Sequence, residues 1–130
     1  MALMSQNTDS WATRHLGRRT ILLDMDKLEF ERLADACLDR IASFLDNFDP
    51  DEVDFSTADG VVKIEFPDGQ TFVLNCQAGA SQMWFAAGVR AWHYDWNGQA
   101  WVDDRDGHPL LANIGRVMGE KLGRQIALEE

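Results

Sequence analysis

The spacing of apolar residues changes period twice along this chain, and that change restricts the fold more than any other feature. Between Met25 and Phe48, the residues Phe30, Leu33, Cys37, Ile41, Phe44 and Phe48 recur three or four apart, with Leu38 and Leu45 beside them. This is the stripe of one amphipathic helix. Asp24 or Asp26 can cap its start, where a carboxylate also meets the positive end of the helix dipole. Pro50, without a backbone N–H, stops it. From Val53 the period falls to two. Val53–Ser56, Val61–Phe66, Gln70–Asn75, Ser81–Ala86, Ala91–Asp95 and Gln99–Asp103 read as strands. Pro67-Asp68-Gly69 is a tight turn between two of them, and Asn97-Gly98 reads as a two-residue hairpin between the last two. The helical period returns from Pro109 to Ile126, with Leu111, Ile114, Met118, Leu122 and Ile126 as the stripe. Gly115, Gly119 and Gly123 lie on a neighbouring face, which predicts close packing against the first helix or the sheet.

Helix, five or six antiparallel strands, helix: the economical burial of these faces is a two-layer α+β sandwich, with both terminal helices on one face of the sheet. The other face is left to water, and large side chains on it need a reason. At 130 residues the chain is one domain's worth. The domain is placed at residues 25–130. Residues 1–24, with Arg14, Arg18 and Arg19 among hydroxyl side chains, read as an extension outside the fold. An upstream stretch included by a misplaced start, a disordered tail and an organelle transit peptide are the three readings open for it.

Charge narrows the function. Acids outnumber bases 22 to 12, a formal net charge of −10. A nucleic-acid binder needs a basic footprint to displace counterions, and a polybasic membrane-surface protein needs the same sign. No apolar run approaches the roughly 18 residues of a membrane span. The two cysteines, Cys37 and Cys76, have neither disulfide-framework nor zinc-knuckle spacing, and read as small buried or half-buried thiols in a reducing compartment.

The acids are concentrated. Twelve acids and three bases lie between Asp24 and Asp59. Glu31, Asp35 and Asp39 stand four apart on one helix row. Asp46, Asp49, Asp51, Glu52 and Asp54 crowd the helix end and the first strand. Like charges four apart cost a helix a few tenths of a kcal/mol, and acids at its C-terminal end oppose the dipole. Such a face either solvates the protein or takes a cation or basic partner, which would relieve the repulsion. Carboxylates without imidazole or thiolate make weak, oxygen-type sites. The run from Asp49 is not an EF-hand, because position six is Asp54 and position twelve is Gly60.

In the strand Gln82-Met83-Trp84-Phe85-Ala86, residues alternate between faces. With Met83 and Phe85 in the core, Trp84 stands on the open face beside Gln82. A tryptophan there supplies large contact area at low entropy cost, as a protein-binding hot spot does. The histidines His15, His93 and His108 have no partner at ligand spacing and read as structural or solvent-facing. Asp103-Asp104-Arg105-Asp106-Gly107 reads as a hairpin exit with a local ion pair.

Taken together these residues resemble the frataxin family, most closely its bacterial branch. The likeness covers about Leu28 to Met118. It rests on Glu29-Phe30-x-Arg32-Leu33-Ala34-Asp35, the acidic stretch Asp46–Asp54, Gly60-Val61-x-x-Ile64-x-Phe66-x-x-Gly69, Asn75-x-Gln77, Gln82-x-Trp84-x-Ala86 and Trp101-x-x-Asp104-Arg105-x-Gly107. The resemblance implies a cytoplasmic bacterial regulator of iron–sulfur cluster assembly, or a mitochondrial one if residues 1–24 are a transit peptide. It implies weak iron binding (Fe2+/Fe3+) on an acidic ridge matched here by Glu31, Asp35, Asp46, Asp49, Asp51, Glu52 and Asp54. It implies contact with the cysteine desulfurase and the scaffold protein, matched by Trp84 with Asn75 and Gln82, and a monomer, with iron-driven oligomers as the alternative. Ala42, Ser43, Asn47 and Ser56 stand where relatives often carry acids, which bears on how many cations bind. An acidic interaction module with incidental metal binding is the competing reading. A ferroxidase is a further one, although the second helix offers only Glu120 and no histidine for a di-iron site.

Overall fold

A computed structural model of the chain describes residues 16–129, of which residues 16–26 are described by their backbone alone. The extension expected over residues 1–24 lies outside the described residues as far as position 15. Helix α1 runs Leu16–Leu45. It starts upstream of the expected Met25, and no proline precedes Pro50 to interrupt its N–H ladder there. It ends short of Phe48. The N–H groups of Asn47 and Phe48 turn back to the carbonyls of Phe44 and Leu45 at 3.2 and 3.1 Å. The Asn47 side-chain amide donates to the same Phe44 carbonyl at 3.2 Å, a second hydrogen bond to an acceptor at the helix end.

The chain divides into two compact units at Leu33, within α1. In the first unit Phe30 is buried, and Arg32 pairs with Glu29 one turn away. The second unit, from Ala34, holds the rest of α1, six strands and helix α2 (Leu110–Leu122). Strands β1 (Asp54–Ala58), β2 (Val61–Glu65), β3 (Thr71–Gln77), β4 (Gln82–Ala87), β5 (Arg90–Trp96) and β6 (Trp101–Asp103) form one antiparallel meander in chain order. The pleat sends Val62, Ile64, Phe72, Leu74, Met83, Phe85, Ala87 and Tyr94 to one buried face. Ala34, Cys37, Leu38, Ile41 and Leu45 of α1 and Leu110, Leu111, Ile114, Val117 and Met118 of α2 are the helical side of that core, the expected α+β sandwich. Each fully buried Leu, Ile or Phe contributes roughly 1.5–3 kcal/mol. A run of rings crosses the strands: Phe66 to Phe72 at 4.8 Å, Phe72 to Phe85 at 6.0 Å and Phe85 to Trp92 at 5.7 Å between centroids.

Turn chemistry differs from expectation at one place. The two-residue turn with φ > 0 at both central positions is Asp59-Gly60 (φ 46° and 82°), joining the paired Ala58 and Val61. Asn97-Gly98 belongs to a longer loop closed by the Trp96–Trp101 pair. The Asn97 side-chain oxygen accepts the N–H groups of Gln99 and Ala100, both at 2.8 Å, so the asparagine organises a four-residue loop rather than a two-residue turn.

Helix α2 stops at Leu122 because Gly123 adopts the left-handed conformation (φ 73°) and returns its N–H to the Gly119 carbonyl at 2.9 Å. Ile126 therefore lies beyond the helix. The glycine row faces neither α1 nor the sheet but the chain's own C-terminal segment. A Cβ on Gly115 would meet the Ile126 carbonyl oxygen at 3.0 Å, and one on Gly119 the Arg124 carbonyl oxygen at 2.8 Å. Leu128 of that segment is buried. Among the described residues no helix is long and apolar enough to cross a membrane.

These distances decide the sign of a substitution. Alanine gains up to about 1 kcal/mol over glycine inside a helix. At Gly119 the obstructing atom is backbone and cannot swing aside, and overpacking of that kind costs about 1–3 kcal/mol. Gly119→Ala is expected to lower the urea midpoint; a raised midpoint would show that the C-terminal segment does not cover α2.

Candidate functional site

Two features stand out on the second unit: a polar cluster around Trp84 on the open face of the sheet, and the acidic stretch from α1 to β1. Because Met83 and Phe85 point into the core, Gln82, Trp84 and Ala86 point away from it. Register then chooses their neighbours. Trp84 pairs with Asn75 of β3 on one side and with His93 of β5 on the other. The indole is half-buried, stacked on the His93 ring with centroids 4.3 Å apart and planes 17° from parallel. Its Nε1–H donates to Gln82 Oε1 at 2.9 Å. The Gln82 amide donates in turn to Asp95 Oδ1 at 3.0 Å and to Asp104 Oδ2 at 3.1 Å. Asp104 also lies 4.0 Å from His93 Nδ1. The tryptophan is thus held by a stack and a hydrogen-bond chain, so little rotamer freedom remains to be lost on docking.

The acidic stretch is differently built. Asp35, Asp46, Asp49, Asp51 and Asp54 are exposed, and Glu31, on the first unit's part of α1, is exposed as well. Several carboxylates are engaged by their own backbone. Asp49 Oδ1 accepts the Asp51 N–H at 2.9 Å, and Asp54 Oδ1 the Phe55 N–H at 2.9 Å. Glu52 departs from the expectation of an unneutralised acid. Arg124, from the C-terminal segment, grips it with both guanidinium nitrogens, one at 2.9 Å, and lies over the Phe48 ring at 5.9 Å. This bidentate hydrogen bond holds the Glu52 carboxyl below its ordinary range and raises the Arg124 pKa. Among the described residues no three ridge donors come within 4.8 Å of one another. The ridge is a row of separate charges and not a preformed cage.

The family model of the frataxin-like domain matches residues 23–124. The chain belongs to the frataxin family. Among curated relatives, the iron-sulfur cluster assembly protein CyaY of Dechloromonas aromatica is 35% identical over 105 residues, 80% of this chain and 99% of the relative. That of Thioalkalivibrio sulfidiphilus is 34% identical over 107 residues, 80% of this chain and all of the relative. The frataxin of Psychromonas ingrahamii superposes with a TM-score of 0.72 at 25% identity, covering 80% of this chain and 98% of that one. The trimeric yeast frataxin of Saccharomyces cerevisiae, solved in complex with ferrous iron, gives 0.57 at 25% identity, covering 74% and 87%.

Against this family frame, the structure gathers Trp84, Gln82 and Asn75 into one cluster. It adds three residues that sequence reasoning missed: His93, Asp95 and Asp104. The available signal was the register of the β4–β5 hairpin, which fixes Trp84 opposite His93. The exit from β6 also differs from expectation. No ion pair of Arg105 is seen among the described residues. Asp106 pairs instead with His108, Oδ1 to Nδ1 at 2.6 Å, and the His108 contacts hold the Asp106 carboxyl below its usual range.

The Glu52–Arg124 pair has a consequence in acid. A depressed folded-state pKa contributes stability above the unfolded value and loses it as pH falls through the lowered one. Glu52→Gln is expected to flatten the acid limb of the stability curve below the ordinary glutamate value of 4.5. Chemical denaturation at a series of pH values measures this, and a limb as steep as that of the parent protein would mean the pair is not formed in solution.

Proposed function

We propose that this protein regulates iron–sulfur cluster assembly in the bacterial cytoplasm, binding iron weakly along the acidic ridge and docking the cysteine desulfurase and the scaffold protein as a monomer. The observation that carries this reading is the ridge itself. Asp35, Asp46, Asp49, Asp51 and Asp54 are exposed, and Arg124, which reaches the acidic stretch from the C-terminal segment, is spent on Glu52. Glu31, exposed on the first unit's part of α1, is included by the resemblance. The names of the curated relatives support the pathway, and the ferrous complex of the yeast protein supports the metal.

The ridge has two competing uses. Hard or borderline cations find oxygen donors there, and arginine or lysine side chains of a partner find the same field. The separation of the carboxylates favours the second use and makes the metal sites shallow. A purely interacting module, with iron incidental, is therefore the reading to set beside the first. Catalysis by a di-iron site has little support. Glu120, the single carboxylate of α2, is held by Arg90 at 3.3 Å and Arg116 at 2.7 Å, and such sites need paired Glu and Glu-x-x-His motifs.

The Trp84 cluster supplies the apolar part of the docking surface. Trp84→Ala is expected to weaken desulfurase or scaffold binding by about 2 kcal/mol or more, the scale of an interface hot spot, with a nearly unchanged melting temperature. Binding intact per folded molecule would refute this use of the open face.

Metal and partner are separated by amide substitution. Ligand present at a hundred times its Kd stabilises a fold by about 2.7 kcal/mol, so anaerobic Fe2+ is expected to raise the melting temperature of the parent protein. Asp49→Asn/Asp51→Asn/Asp54→Asn should lose that shift and lose desulfurase capture. Loss of capture alone, with no iron shift in either protein, would leave the interaction module; retention of both would refute the ridge.

A further inference from the structure

We propose that Asp103, Asp106 and His108 form a metal site separate from the acidic ridge, taking a first-row divalent cation of the Zn2+ or Co2+ type through two carboxylate oxygens and one imidazole nitrogen. The three residues bracket the turn between β6 and α2. One potential ligand atom from each lies within 4.8 Å of the other two.

Asp103 gives the independent sign that something is expected there. The residue is 5% exposed. Its Oδ2 is fully used, accepting the N–H groups of Arg105 and Asp106, both at 2.9 Å. Its Oδ1 is buried and has no hydrogen-bond partner. A buried aspartate oxygen without a donor calls for an explanation, and a bound ion is one. The turn that presents it is rigid. The Asp103 N–H donates to the His108 carbonyl at 2.8 Å, and Gly107, at φ 79°, returns its N–H to the Asp103 carbonyl at 3.0 Å.

Both ring nitrogens of His108 have an oxygen beside them. His108 Nε2 lies 2.8 Å from the Tyr94 hydroxyl, which also accepts the Asn113 amide at 2.9 Å. A ligating histidine ordinarily donates its second N–H to an oxygen of this kind. In the metal-free protein Nδ1 faces Asp106 Oδ1 at 2.6 Å, so Nδ1–H donates to that carboxylate and Nε2 accepts from Tyr94. Metal at Nδ1 takes the place of that hydrogen bond and leaves the proton on Nε2. The exposed Asp106 side chain can shift to bring its oxygen to the roughly 2.0–2.2 Å that zinc requires. An open cleft of about 350 Å³, walled by Trp92, Pro109, Asn113 and Arg116, opens onto Asp106 and His108. Three protein ligands and a water make an open site. Its imidazole separates it chemically from the oxygen-only ridge, and the order of affinities for nitrogen donors favours the later first-row metals.

The test is a Zn2+ titration of the full chain by competition with a fluorescent chelator, with 15N spectra of the His108 ring as a second readout. Asp106→Asn, an exposed change that preserves an oxygen acceptor in the turn, is expected to lower Zn2+ affinity at least about tenfold, the lower end of what removing even an outer-sphere partner costs. His108→Gln should do the same. Asp46→Asn/Asp49→Asn/Asp51→Asn/Asp54→Asn should leave this affinity unchanged, which separates the site from the ridge. Zn2+ should also move the His108 ring proton from Nδ1 to Nε2. A Zn2+ affinity left unchanged by Asp106→Asn, one lost with the ridge amides, or an unmoved His108 signal at saturating Zn2+ would each overturn the proposal.

Discussion

The register of the antiparallel meander is the constraint on which the rest depends. Side chains in a strand alternate with period two, so a slip of one residue would turn the whole inward set to water. In β4 the slip would expose Met83 and Phe85 and bury Gln82 and Trp84. The inward set wins by area, because each fully buried large side chain is worth roughly 1.5–3 kcal/mol and a buried amide needs partners it would not find there. The same alternation sets the functional surface. It places Trp84 opposite Asn75 and His93, and Gln82 within reach of Asp95 and Asp104. Core and docking face are two sides of one choice of register.

The C-terminal segment ties this sheet to the ridge by a second route. It crosses the glycine row of α2, where backbone approaches too closely for any side chain at Gly119. From there Arg124 reaches Glu52 near the end of the acidic stretch. One arginine thus offsets part of a charge arrangement that the helix end alone disfavours, since acids there oppose the dipole. The remaining carboxylates keep their field. That division explains how an unfavourable concentration of charge coexists with a stable fold: the charge is exposed, where high dielectric keeps repulsion small, and the burden on the core is light.

Most of the architecture was legible in the residues. The three-and-four spacing from Phe30 to Phe44 marked α1, alternation marked the six strands, and Met83 and Phe85 fixed the outward face of Trp84. What escaped the sequence depended on contacts between distant residues. Asn97-Gly98 has the composition of a two-residue turn, yet the pairing of Trp96 with Trp101 left two further residues in the loop. The glycines of α2 announced a close approach but not its partner, which is the chain's own tail. His93 and His108 read as isolated because their neighbours, Trp84 for one and Tyr94, Asp103 and Asp106 for the other, are brought to them by register and by the turn after β6. Acid content located the ridge. It did not show that Glu52 was already taken.

The account of function joins these parts: a negative row for a cation or a basic partner, and a rigid tryptophan face that adds apolar area to the same encounter. Electrostatic attraction across such a surface acts at long range and is screened by salt, whereas the contact of Trp84 is not. The most direct measurement is therefore the affinity of the purified protein for the cysteine desulfurase as a function of ionic strength, in metal-free buffer. Affinity is expected to fall steeply with salt in the parent protein and only weakly once the ridge acids are amides. An affinity that does not change with salt, or that changes equally in both proteins, would contradict this reading.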